Sequence, residues 1–188
     1  MRSQDVLWYS PRLDSMEHFR YREEDQGHRL EGIVVLSRDQ TPTTIHYEVV
    51  VDAVWGLICA NVLCTDLDGE TDIGVKTEGE RWWVNGRERT DLAGCTDIDL
   101  GWTPATNTLP IRRTRLHVGE TSKVAAVWVT FPELAVRRME QTYSRKSASV
   151  WTYSSANFTA DLVMDTNGIV VTYGPDVWST LASQEAGT

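Results

Sequence analysis

The chain has 188 residues, the size of one domain, and can bury roughly 70% of the surface its extended form would expose. Its formal charge of −9 excludes long-range attraction to nucleic-acid phosphates or anionic lipid surfaces, both of which need clustered Lys and Arg. Three cysteines without a C-x-x-C pair (Cys59, Cys64 and Cys95) argue against a disulfide framework or zinc ribbon, and no apolar run suits a signal peptide or a membrane-crossing helix.

A single domain over residues 1–188, placed in a reducing cytoplasm, is the expectation, with loose ends at about 1–4 and 179–188. Along the chain, Ile45, Tyr47, Val49 and Val51 alternate with His46, Glu48 and Val50, the period of a half-buried strand. Asp68-Gly69, Glu78-Gly79, Asn85-Gly86 and Asn167-Gly168 each punctuate apolar or alternating runs, as two-residue hairpin turns do. Cys95 to Gly101 and Val127 to Phe131 read as further strands. Thr103-Pro104 supplies an N-cap and a first-turn proline, so a short or kinked helix is predicted from about Thr103 to Arg113. Pro110 limits it. Glu133 to Tyr143 lacks an apolar helical stripe and reads as strand. The sum is a mainly β chain with a meandering antiparallel sheet and one helix. Asn157-Phe158-Thr159 matches a glycosylation acceptor, an accidental match without a secretory signal.

The densest polar chemistry lies in GCTDIDLGWTPATNTLPIRR, from Gly94 to Arg113. On a strand Asp97 and Asp99 share one face, so their carboxylates enter one compartment and can hold ligand hydroxyls by charge-assisted bonds. Arg112 and Arg113 are the cations that would compensate them, either as ligand contacts or as a salt bridge fixing the segment. Asn107 serves a ligand or a backbone turn. Gln141 and Tyr143, two apart, point into the same space as an amide and a phenol suited to a sugar. Of the eight tryptophans, Trp55, Trp82, Trp83, Trp102, Trp128, Trp151 and Trp178 are candidates to stack on sugar rings or line an acyl cavity, and equally core or interface residues. His46 and Glu48 form the one close His/carboxylate pair on a strand face, read as a surface pair. Signatures of nucleotide binding, zinc proteolysis and the serine-hydrolase elbow are missing, and no cofactor is implied.

The same GCTDIDLGWTPATNTLPIRR run, with the later FPEL, QTYSR and NGIVVTYGPDVW, resembles the bacterial family described as putative glycolipid-binding. The resemblance covers most of the chain. It implies a large curved antiparallel sheet, a β-roll or barrel-like wrap around one short helix, remotely like lipoprotein-localisation carriers. It also implies a homodimer and an acidic pocket for a glycolipid or sugar-like ligand, which places Asp97, Asp99, Asn107, Arg112, Arg113, Gln141 and Tyr143 in the ligand site. Three functions stay open on these residues. The first is a non-catalytic binder. The second is a glycoside or glycolipid hydrolase using the paired aspartates, whose same-face spacing of about 6.6–7 Å is compatible with inverting chemistry. The third is a structural or regulatory homodimer whose acids and arginines only bridge one another.

Overall fold

A computed structural model describes residues 1–38, 40–156 and 158–187, which leaves Asn157 and its acceptor match outside the described residues. The chain starts with eight strands joined as successive antiparallel hairpins: β1 (Arg2–Ser10), β2 (Ser15–Glu24), β3 (Gly27–Arg38), β4 (Thr41–Asp52), β5 (Leu57–Asp66), β6 (Gly69–Glu78), β7 (Arg81–Val84) and β8 (Arg87–Glu88). A short strand, β9 (Asp97–Leu100), precedes the helix α1 (Thr108–Thr114). Six more strands follow: β10 (Thr121–Val129), β11 (Val136–Arg145), β12 (Val150–Ser155), β13 (Phe158–Met164), β14 (Val170–Tyr173) and β15 (Trp178–Gly187). All fifteen belong to one curved, unclosed sheet, with β15 lying between β1 and β14 and with β8 and β9 at its two edges.

The alternation read in β4 is real: Thr43, Ile45, Tyr47, Val49 and Val51 face inward and are buried. In β2 the inward set is Ser15, Glu17, Phe19 and Tyr21, so a carboxyl side chain enters the core. Asn85-Gly86 forms the β7–β8 turn with positive φ at both residues, 47° and 75°. Two other turns sit one residue away from expectation, at Leu67-Asp68 and Gly79-Glu80, because the strand pairs Asp66–Gly69 and Glu78–Arg81 close them. Glu133 to Tyr143 is largely strand, as predicted. Strand β9 pairs parallel to β10, a departure from a pure antiparallel meander that the intervening helical connection permits.

The end segments expected to be loose are strand over residues 2–4 and 179–187. Residues Arg2 to Tyr9 pair antiparallel with Ser179 to Gly187, and buried Val6 and Trp8 together with side-chain bonds such as Gln4 to Ser183 at 3.1 Å add to the backbone ladder. The helical segment opens as expected, with the Thr103 hydroxyl accepting the N–H of Ala105 at 3.1 Å. A 3-10 turn over Ala105–Asn107 leads into α1, and Pro110 falls in the first turn of α1, where a missing N–H costs no helical bond. Leu109 and Ile111 bury the helix in the sheet's hollow. The apolar core is therefore one cluster enclosed by the curved sheet, and the helical segment runs through it.

Candidate functional site

The two aspartates of β9 share a face, yet they have different partners. Asp97, 1% exposed, takes Arg113 in two-pronged fashion: Nε donates to Oδ1 at 3.1 Å and Nη2 donates to Oδ2. The Thr96 hydroxyl adds a bond to Oδ2 at 2.7 Å. Asp99 meets neutral donors instead, the Gln141 amide and the Thr106 hydroxyl, and has no cation within ion-pair distance among the described residues. Burial lifts its carboxyl to about 6, against the pull of those two hydrogen bonds.

Asp99 belongs to a polar cluster assembled from three elements. Tyr143 and Gln141 of β11 are both 2% exposed; the Tyr143 hydroxyl donates to Asn107 Oδ1 at 2.9 Å and lies 3.4 Å from Gln141 Oε1. Asn107 in turn donates to the Pro104 carbonyl at 3.0 Å, so it serves the turn and the cluster at once. Beyond Tyr143 the aromatic lining continues through Tyr153, at 5.3 Å between ring centroids, and on to Tyr173 and Phe158. Burial first, and the charge of Asp99 after it, hold the phenols of Tyr143 and Tyr153 above their ordinary range. Past Phe158 lies a cavity of about 600 Å³ lined by Pro11, Arg12, Ala160, Pro175 and Val177, with the Arg12 guanidinium 5.4 Å over the Phe158 ring.

Four of the seven residues expected in the site are thus one hydrogen-bonded group: Asp99, Asn107, Gln141 and Tyr143. Asp97 and Arg113 form a separate ion pair. Arg112 does not compensate either aspartate, because consecutive helical residues diverge by about 100° around the axis. Its guanidinium instead lies 5.3 Å over Trp55. The tryptophans are chiefly core: Trp55, Trp82, Trp102, Trp151 and Trp178 are buried, and Trp83 and Trp128 are half-buried. Glu48 binds Arg29 rather than His46, since the longer arginine spans the neighbouring strand.

Sequence reasoning missed Glu17. It is fully buried, and its Oε1 accepts the hydroxyls of Tyr47 and of Thr103, the latter at 2.8 Å, while Oε2 has no partner among the described residues. Burial raises this carboxyl to about 8. Tyr47 reaches it by lying across Gly32, where a β-carbon would fall 2.2 Å from the ring. The signal was there in the inward phase of Phe19 and Tyr21, which puts Glu17 on the same face. The motif TPATNTLPIRR then acquires a residue-by-residue account. Thr103 holds Glu17, Thr106 holds Asp99, Asn107 holds Tyr143, and Thr108 donates to the Gly168 carbonyl at 3.1 Å. Arg112 covers Trp55 and Arg113 holds Asp97.

A curved sheet threaded by a polar helical segment defines a β-barrel-like class, and comparison with known proteins places the chain within it. The profile of the family described as Putative glycolipid-binding matches residues 5–179, and the chain belongs to that family. A crystal structure of a DUF1089 family protein from Pseudomonas aeruginosa is similar at 30% identity and a TM-score of 0.81, over 89% of this chain and 92% of that one. A beta-barrel-like protein of DUF1849 from Brucella abortus shares the fold at 10% identity and a TM-score of 0.57, over 100% and 98% of the two chains. No curated protein matches the chain.

Proposed function

We propose that the chain is a non-catalytic binder of a glycolipid or a similar sugar-bearing amphiphile. The headgroup hydroxyls are taken by Asp99, Gln141, Asn107 and Tyr143, and the apolar portion follows Tyr153, Phe158 and Tyr173 toward the cavity beside Arg12. One observation carries this reading: Asp99 is the motif carboxylate with neutral donors and no cation, so its charge remains available to a ligand's hydroxyl groups. Asp97 and Arg113 serve as the clamp that positions α1. A hydrolase working through Asp97 and Asp99 needs both carboxyls unengaged, and Arg113 occupies one of them. Self-association is part of the proposal, supported by exposed Met16, Ile33 and Val35 on the outer face, where Met16 and Val35 are register partners.

Native mass spectrometry of gently purified protein tests the reading. Wild type is expected as a dimer carrying a small-molecule adduct, and Asp99→Asn as a folded dimer without it. An adduct that persists in Asp99→Asn removes the cluster from consideration.

A further inference from the structure

A second polar feature lies at the opposite end of the sheet's hollow, where β2, the β4–β5 turn and the last turn of α1 meet. Arg112 makes no hydrogen bond or ion pair with the described residues, and its Nε is buried without a partner. An unpaired, partly buried guanidinium is costly, so the fold must hold it there by other means. Two such means are present. Its stem packs against Gly168, where a β-carbon would come 2.9 Å from Cδ. Its charged plane rests on Trp55, a bulky residue kept at φ 70° by the turn in which Trp55 N–H donates to the Asp52 carbonyl at 3.0 Å.

The surroundings add donors. Trp55 stacks on His28 at 4.2 Å, and the Tyr21 hydroxyl is 3.0 Å from His28 Nδ1. Tyr21 borders a cavity of about 590 Å³ lined also by Arg2, Gln4 and Asn167, and the stack through His28 and Trp55 links it to Arg112. The carboxylates facing this group are Glu23, Asp52 and, across the cavity, Glu185. Asp52 is already engaged: its Oδ1 accepts the N–H groups of Val54 and Gly56. Glu185 accepts from Asn167 at 2.9 Å.

We propose that Arg112, with Arg2, Tyr21 and His28, forms an anion site for a phosphate group, distinct from the Asp99 cluster. Guanidinium and phosphate pair through parallel N–H···O bonds, and Trp55 fixes the guanidinium plane before the anion arrives. The phosphate can be a free ion or part of a lipid headgroup.

The test follows the His28 ring protons by NMR in the full chain, with inorganic phosphate in one arm and monomeric short-chain phosphatidylglycerol in the other. Sodium chloride at matched ionic strength is the control. Saturable shifts are expected, with the His28 pKa moving upward as the bound anion offsets Arg112. Response to phosphate alone identifies a free-ion site; response confined to the lipid identifies a headgroup site; both support the assignment. Arg112→Gln should weaken binding by about tenfold or more, and Arg2→Gln, at the exposed strand end, more modestly. Asp99→Asn should leave it unchanged, which separates this site from the sugar-binding cluster. Absence of saturation in both arms, or saturation indifferent to Arg112→Gln and Arg2→Gln, overturns the proposal.

Discussion

The two flanks of the Thr103–Asn107 segment each set one carboxyl against a threonine, and they differ in what surrounds it. Glu17, on the flank of β2 and β4, is bound by Tyr47 and Thr103, with one oxygen unpaired among the described residues. Asp99, on the flank of β10 and β11, keeps partial exposure and sits beside a run of tyrosines that leads to a cavity. Both bind a threonine of the same motif. The contrast teaches that one chemical arrangement, carboxyl to threonine, can sit fully enclosed in the core or beside a polar cluster, and under the proposed function only the second receives a ligand.

Titration separates the flanks most strongly. The folded state holds the Glu17 proton up to about pH 8, above the ordinary 4.5, so it binds more protons than the unfolded chain between those values. Stability contributed by protonated Glu17 is therefore present at low pH and lost as pH rises through that window, by up to about 5 kcal/mol. Glu17→Gln should flatten this slope and leave the variant more stable than wild type above pH 8, as urea denaturation across pH will show. The corresponding window for Asp99 runs from 3.8 to about 6, up to about 3 kcal/mol, and Asp99→Asn should abolish that lower slope alone.

Breaking the helix clamp comes next. Asp97→Ala leaves Arg113 partly buried without its anion and should cost about 3 kcal/mol, read as a lower urea midpoint with unchanged m. Gly32→Ala strikes the Glu17 flank only: the added methyl displaces the Tyr47 ring and should cost about 2 kcal/mol while ligand binding at Asp99 persists. The smallest effect is Tyr143→Phe, which strands Asn107 Oδ1 and should cost about 1 kcal/mol, with a larger proportional loss of retained ligand.

Much of the Asp99 flank is legible in the sequence, because strand alternation alone puts Gln141 beside Tyr143 and Asp99 beside Asp97. Glu17 is legible only in part: alternation with Phe19 and Tyr21 gives its inward phase, but its partners Tyr47 and Thr103 are distant in sequence. Arg112 and Arg113 look equivalent until helical phase sends one to Trp55 and the other to Asp97. Val6 and Trp8 mark β1 as a strand, but its pairing with Ser179–Gly187 joins residues at opposite ends of the sequence, which local pattern does not reveal. The hairpins are legible in number more than in register: Asn85-Gly86 falls where its residues indicate, two turns shift by one residue, and Asn167-Gly168 lies in a five-residue connection between Met164 and Val170.

The seating of β15 between β1 and β14 has a kinetic side. Strands β1 to β8 can zip as local hairpins, but β1 has one neighbour until residues near 180 arrive, and that contact spans almost the whole described chain. Such a junction raises the mean sequence separation of native contacts, and closing so long a loop is slow. A circular permutant that fuses the two paired ends through a short turn and opens the chain at an exposed hairpin should reach the native state faster, because the seam becomes one more local hairpin.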